Sequence, residues 1–412
     1  MANHVNITGR AGWLNRDVIG MSLASFLSDA GHELVTVMLP GFLHALGLAA
    51  GDLGWIEGTA DAASSFVKLG AGWLSDRAGQ RKNLVASGYA LTALALGVLA
   101  AAVSWPLLLA GRVLAWMARG AKGPARDALL AEAAPAAVRG KVFGLHRTAD
   151  TLGAVVGPLA GIWLLAHLPH TSAAAPFRTI FLLALIPGLG AAAAFWLLVR
   201  ERAHAAQRGL ALHQALRALP REFFQFVRGA GVFGLGDFSH TLYILAATQL
   251  LTPAHGLIRA AQLAALLYVL HNVVYALASF PAGALADRMA KTKLLACGYV
   301  LAAATVAGLA WLMAARVPAL AWLALVFAAA GVYVAIQDAL EGTIAADRLP
   351  PPARATGYGA LGAVNGVGDF AASALVGGLW AVSAATAFFA AAALMLSGAV
   401  LVWRLPPSGR AQ

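Results

Sequence analysis

Several residues of this chain combine type and spacing in ways that suit charge chemistry. Asp29, His32 and Glu33 are three and four apart, which places them on about one face of a helix. Arg112, Arg119 and Arg126 recur every seven residues, and Lys122 falls between the last two on the same side. A basic stripe of this kind needs acids, a solvated cavity or an anionic ligand. Asp29, Asp61 and Asp150 are its plausible internal partners. A carboxylate near an arginine can exchange a proton as their contact forms and breaks. Asp29 facing Arg112 fits that role, and Glu33, Asp61 and Asp150 are further candidates. Arg119, Lys122 and Arg126 would attract an anion. The remaining candidate binding residues are His32, His146, Asp237, His240, His271 and Asn365. The pattern Asp-x-x-His, at Asp29 and His32 and again at Asp237 and His240, offers carboxylate and imidazole, which also suit a first-row metal ion.

These groups lie in stretches that are otherwise apolar. Of 412 residues, 60% are apolar and 11% charged, far from the composition of a soluble domain. Stretches long enough to cross a bilayer fall near 18–40, 52–75, 83–103, 105–128, 141–166, 178–199, 224–250, 260–286, 293–314, 318–344, 355–381 and 384–404. An all-α membrane protein with twelve transmembrane helices follows. Ionisable groups at bilayer depth cost roughly 2.5–3.5 kcal/mol each on insertion scales, so they line cavities or pair with each other. The stripe would therefore sit in helix 4, with the acids of helices 1, 2 and 5 around it. The C-terminal half is less basic, with no Lys or Arg expected inside its helices, so ligand charge would be met mainly by the N-terminal half.

Charge also orients the chain. The net charge is +11. Lys and Arg gather in the segments that are cytoplasmic if the N-terminus is inside; Arg178, Arg259 and Arg316 alone fall to external loops. Both termini are therefore expected in the cytoplasm. This bias explains the charge without nucleic acid. The polar first sixteen residues show no cleaved signal peptide. Cys297 is the single cysteine, which excludes an internal disulfide and a cysteine-based metal cluster.

The two halves repeat. Ser28-Asp29-Ala30-Gly31-His32 answers Gly236-Asp237-Phe238-Ser239-His240, and Gly72-Trp73-Leu74-Ser75-Asp76-Arg77 answers Gly283-Ala284-Leu285-Ala286-Asp287-Arg288. Ala131-Glu132, Pro135, Arg139 and Phe143-Gly144 answer Ala346-Asp347, Pro350, Arg354 and Tyr358-Gly359. The expected organisation is an N-terminal six-helix bundle over 1–199, a basic cytoplasmic linker over 200–222 and a C-terminal six-helix bundle over 223–412. Two such repeats related by an axis along the membrane normal place a binding site between them near the midplane.

Gly72-x-Leu74-x-Asp76-Arg77-x-Gly79-x-Arg81-Lys82 resembles the signature loop between helices 2 and 3 of major facilitator superfamily transporters, and its degenerate copy runs from Gly283 to Lys293. Arg112 resembles the arginine of a second family motif, found in proton-driven members. Gly153-x-x-x-Gly157-Pro158-x-x-Gly161 resembles the helix 5 motif of antiporters, with Ile162 where a second glycine is usual. The resemblance implies two pseudo-symmetric bundles, alternating access, and a site lined by helices 1, 4, 7 and 10. It also implies a conformational latch involving Gly72, Asp76, Arg77, Gly79, Arg81, Asp287 and Arg288. Acids in helix 1 with an arginine in helix 4 are similar to proton-driven drug exporters.

The expected protein is thus a proton-coupled transporter, acting as a monomer, that exports a small anionic or amphiphilic compound. A divalent metal transporter is the alternative, weakened by scarce methionine, the lack of a His-rich tail and the cationic helix 4. No nucleophile motif, phosphate loop or zinc-protease motif occurs, so neither an enzyme nor a cofactor is expected. High alanine usage suggests a GC-rich bacterial source, hence an inner-membrane home.

Overall fold

A computed structural model describes residues 14–78, 81–133, 139–169, 171–201, 216–217, 219–286, 289–349 and 354–406. The helices are α1 (Arg16–Ala45), α2 (Ala50–Ala78), α3 (Lys82–Ala101), α4 (Trp105–Glu132), α5 (Arg139–His167), α6 (Ala175–Leu183) and α7 (Leu185–Leu198). After the linker come α8 (Arg221–Gly234), α9 (His240–Ala286), α10 (Lys291–Ala315), α11 (Leu320–Asp347), α12 (Arg354–Trp380) and α13 (Ala384–Trp403). These make twelve spans. The pair α6 and α7 forms one span with a break at Ala184. Helix α9 folds back at Gly256, whose φ of 73° suits a residue without a Cβ, so its two arms belong to successive spans.

The spans form where the sequence places them, and their ends have local causes. Asn15 caps α1 by accepting from the Val18 amide at 3.0 Å, and Ser383 caps α13 through the Thr386 amide. The amides of Arg81 and Lys82 donate to the Glu201 carboxylate at 3.2 and 2.8 Å, which ties the start of α3 to the end of the sixth span. Large apolar side chains such as Ile186, Leu197 and Leu277 face outward, 67–71% exposed, as lipid contact requires. Among the described residues, eight helical segments are long and apolar enough to cross a membrane by composition alone. The helices α1, α2 and α4 are not among them, and these carry the acids and the basic stripe. Their polar groups are therefore the part of the fold that tertiary contacts must satisfy.

The seventh span differs from expectation. It is not one continuous helix over 224–250 but α8 and the first arm of α9, separated by Leu235–Ser239. Gly236 lies so close to α13 that a Cβ there would stand 2.4 Å from the Ala391 carbonyl oxygen. The Ser239 amide donates instead to Ser373 Oγ on α12 at 3.1 Å. Non-helical backbone at membrane depth is tolerated when buried in protein or lining a cavity, and both apply here. Two smaller corrections concern basic residues. Arg228, Lys291, Lys293 and Arg354 lie within helices of the C-terminal half, near their starts or on an exposed face. Arg178 sits in the first turn of α6 and Arg259 within α9, rather than in loops, while Arg316 caps α10.

The bundles meet closely on the side away from the termini. A Cβ on Gly54 would lie 2.3 Å from the Ser373 carbonyl oxygen, and one on Gly51 would lie 3.1 Å from that of Gly377. These glycines let α2 and α12 touch backbone to backbone. Gln262 on the second arm of α9 donates to the Ile162 carbonyl of α5 at 3.3 Å. The main polar cavity lies in the termini-side half, between the same bundles.

Candidate functional site

Helix α4 supplies the basic wall of that cavity, and each of its cations has a defined partner. Arg112 is buried, and its Nε and Nη2 donate to the two oxygens of Glu57 at 2.9 and 3.1 Å. Its Nη1 reaches Thr36 Oγ1 at 3.1 Å. About two turns along, Arg119 Nη1 pairs with Asp29 Oδ1 at 2.7 Å. Lys122 Nζ donates to Ser28 Oγ at 2.8 Å and stands 3.7 Å above the Tyr89 ring. Arg126 pairs with Asp127 at 2.9 Å and donates to Ser25 Oγ at 3.3 Å. The expected pair of Asp29 with Arg112 is therefore not formed. The seven-residue spacing aligns both arginines on one face, but only depth in the membrane decides which acid each meets. Glu57 stands level with Arg112, and Asp29 lies nearer Arg119.

Asp150 accepts from Ser25 Oγ and lies 3.8 Å from both Arg147 Nη1 and His146 Nε2. His32 is buried edge-on against Trp116, with ring centroids 5.2 Å apart, and neither ring nitrogen has a partner among the described residues. Trp116 is itself flanked by Arg112 and Arg119 at 5.4 and 5.8 Å. Together these helices enclose a cavity of about 440 Å³. Its charged lining comprises Lys68, Arg119, Lys122, Arg126 and Arg147 against Asp29, Asp127 and Asp150.

A second cavity, of about 310 Å³, adjoins the first and shares Ser64, Lys68 and Trp116 with it. Its remaining charges are Asp61, Asp237, Asp338 and Asp369, and His240 and Asn365 also line it. The break in the seventh span brings Asp237, Ser239 and His240 into it. Asp237 accepts from Gln337 Nε2 at 2.9 Å. Asn365 donates to Glu341 at 2.8 Å, as Tyr299 does at 2.6 Å. His240 packs against His271 at 4.9 Å, and His271 stacks on Tyr268. Two contacts cross between the bundles here: Tyr268 donates to Glu33 Oε2 at 2.9 Å, and Ser239 Oγ donates to Glu57 Oε2 at 3.2 Å.

The helix 5 glycines pack α5 onto α1. A Cβ on Gly153 would lie 2.5 Å from the Phe26 carbonyl oxygen, one on Gly157 would lie 2.3 Å from that of Ala30, and one on Gly161 would meet Met38 at 3.0 Å. Pro158 lies within the same helix. Of the signature loop, Arg81 is 6% exposed and ion-paired with Glu132. Gly72, Asp76 and Arg77 fall in the last turns of α2, where backbone alone is described, and Gly79, Asp287 and Arg288 lie outside the described residues.

The metal alternative gains nothing from this geometry. Asp29 is occupied by Arg119 and Asp237 by Gln337. Among the described residues no three His, Cys, Asp or Glu side chains converge as a metal site needs. Glu57, Lys68, Asp369, Trp116 and Tyr268 are site residues that the spacing of charges in the sequence does not single out. Glu57 and Asp369 carry a usable signal, each an acid deep in a membrane helix with no cation in the neighbouring turns. Aromatics in a membrane helix carry no such mark.

Comparisons with known proteins agree on one family. The model of the Major Facilitator Superfamily matches residues 21–258 and 230–412. An uncharacterized MFS-type transporter of Methanocaldococcus jannaschii is 27% identical over 95% of each chain. The quinolone resistance protein NorA of Staphylococcus aureus is 26% identical over 36% of this chain and 38% of its own. Among solved structures, a nucleoside transporter, NupG, superposes with a TM-score of 0.78 at 12% identity, covering 94% of this chain and 99% of the other. A D-xylose–proton symporter gives 0.73 at 14% identity, covering 95% and 98%. Two six-helix bundles around a central polar cavity, with the family model matched through nearly all of the sequence, place this chain in the Major Facilitator Superfamily of membrane transporters.

Proposed function

We propose that this transporter moves a small organic compound bearing an anionic group, that it is coupled to protons, and that it works as an exporter by alternating access. The observation that carries the reading is the first cavity, where Lys68, Arg119, Lys122, Arg126 and Arg147 outnumber three acids. A surplus of fixed cations in a low-dielectric cavity favours an anion and disfavours a cation. With both termini in the cytoplasm of a bacterial inner membrane, the cavity lies on the cytoplasmic side and the opposite side is closed. That is the state that would load a cytoplasmic compound for export, and the partial likeness to NorA is consistent with this direction. The organisation into bundles over 1–199 and 223–412 belongs to the same proposal, as do the monomeric state and the role of the signature loop as a latch.

Proton coupling needs a carboxylate that is not locked to a fixed charge. Asp29 and Glu57 are locked to arginines. Glu33 instead meets a neutral phenol, and Asp61 lines the second cavity with no arginine ion-paired to it among the described residues. Those two are the proton carriers in this reading, with Arg112 holding Glu57 beside them. The test is a pH-dye assay in proteoliposomes with a panel of organic anions, lipophilic cations and divalent metals. Anion-dependent proton movement, lost in Asp61→Asn or Glu33→Gln, is expected. Flux driven only by lipophilic cations, or flux of anions with no proton movement, would overturn the substrate assignment or the coupling assignment respectively.

A further inference from the structure

The second cavity is not needed for an anion, and its charge is opposite. Asp61, Asp237, Asp338 and Asp369 face it, with Lys68 as its sole Lys or Arg among the described lining residues. The ion pairs of the described residues engage Asp29, Glu57, Asp127, Glu132, Asp150 and Asp347, and the four carboxylates of this cavity are not among them. Four carboxyl groups without a fixed counter-charge at bilayer depth must either take up protons or face a cation that completes the site. The two cavities meet at Ser64, Lys68 and Trp116. Ser64 is 2% exposed, and neither its Oγ nor Trp116 Nε1 has a hydrogen-bond partner among the described residues. Two polar groups without partners thus mark the junction, where the middle of a ligand would lie.

We propose that the adjoining cavities form one bipolar site whose substrate is a zwitterion, its carboxylate or other anionic group toward Arg119 and Lys122 and its protonated amine toward Asp237 and Asp369. This rests on the anion reading above and narrows it. The volumes, about 440 and 310 Å³, suit a molecule of the size of a short peptide or an amino acid derivative. Lys68 at the boundary limits how far negative charge from the ligand need extend. Asp61 belongs to the acidic cavity and to the proton path, so the amine and the proton would compete for the same region, which is the behaviour exchange requires.

The test uses the full chain purified in detergent and the same protein in proteoliposomes. The probes are a homologous series of ω-amino carboxylates, the matching alkanoates and alkylamines, and di- and tripeptides with their N-acetyl and C-amide forms. Thermal stabilisation and counterflow are read for each. Zwitterionic members are expected to bind about tenfold or more tightly than forms lacking either charge, as loss of one buried charge contact implies. Asp369→Asn and Asp237→Asn are expected to lower that preference for the zwitterion over the anion by about tenfold, and Arg119→Gln to weaken both classes. Alkanoates that bind as tightly as amino carboxylates would overturn the bipolar site and leave the anion reading standing. Binding by alkylamines alone would overturn both. A panel in which no zwitterion stabilises the wild-type protein also overturns the proposal, independently of whether any variant folds.

Discussion

The basic and acidic cavities share a boundary but hold their charges differently. On the N-terminal wall, cations are anchored by charge: Arg112 by Glu57, Arg119 by Asp29, Arg126 by Asp127. On the C-terminal wall, carboxylates are held by neutral donors: Asp237 by Gln337, Asp338 by Tyr275, Glu341 by Tyr299 and Asn365. An ion pair in a low-dielectric setting fixes both charges, because neutralising one strands the other. An amide or phenol donor imposes no such penalty. The difference teaches that the basic wall is a permanent field, while the acidic wall can change its charge with its occupant.

The largest test of that contrast is Arg112→Ala. It leaves Glu57, fully buried, without its counter-charge, and a loss of about 3–5 kcal/mol is expected. Thermal unfolding in detergent should show it, and a second change, Glu57→Gln, should recover most of the loss. If the double variant is no better than the single one, the pair is not a fixed unit. Next in size is binding. Arg119→Gln should weaken an organic anion about tenfold or more by isothermal titration, whereas Gln337→Met, which removes the donor to Asp237 in the acidic cavity, should change anion affinity by less than about threefold. Equal effects would erase the distinction between the walls.

A packing change should act on the basic wall alone. Gly157→Val places side-chain atoms against the Ala30 backbone, and overpacking of this kind costs about 1–3 kcal/mol. Because α1 carries Asp29, anion affinity should fall along with the melting temperature. The smallest effect is expected from Tyr268→Phe. It removes the hydrogen bond to Glu33 between the bundles, worth about 0.5–1.5 kcal/mol. Distance measurements between spin labels on α5 and the second arm of α9 should then show a shift in the balance of conformations with little loss of fold.

Much of the fold was legible in the sequence. Spans of apolar residues, polar gaps between them and the repeated motifs around Asp29 and Asp237 are properties of composition and order. The break at Leu235–Ser239 was not legible, because a helix of the right apolarity can be unwound wherever a neighbour supplies hydrogen bonds, and here Ser373 does so from 134 residues away. The site was half legible. Its charged residues stood out because the bilayer penalises them. Their pairing was hidden, since spacing fixes which face a residue occupies and not which helix meets that face.

By itself, then, the sequence determined the class, the number of spans, the internal repeat and the presence of a basic stripe in α4, all through the bilayer's demand for apolar helices with satisfied backbones. Only the tertiary structure decided that Arg112 meets Glu57 while Arg119 meets Asp29, and that the acids of α2, α11 and α12 gather with Asp237 in a cavity of their own. Those outcomes depend on the rotation and depth of each helix. Close packing sets both, through small residues such as Gly54, Gly157 and Gly236 placed against backbone that lies far away in the chain.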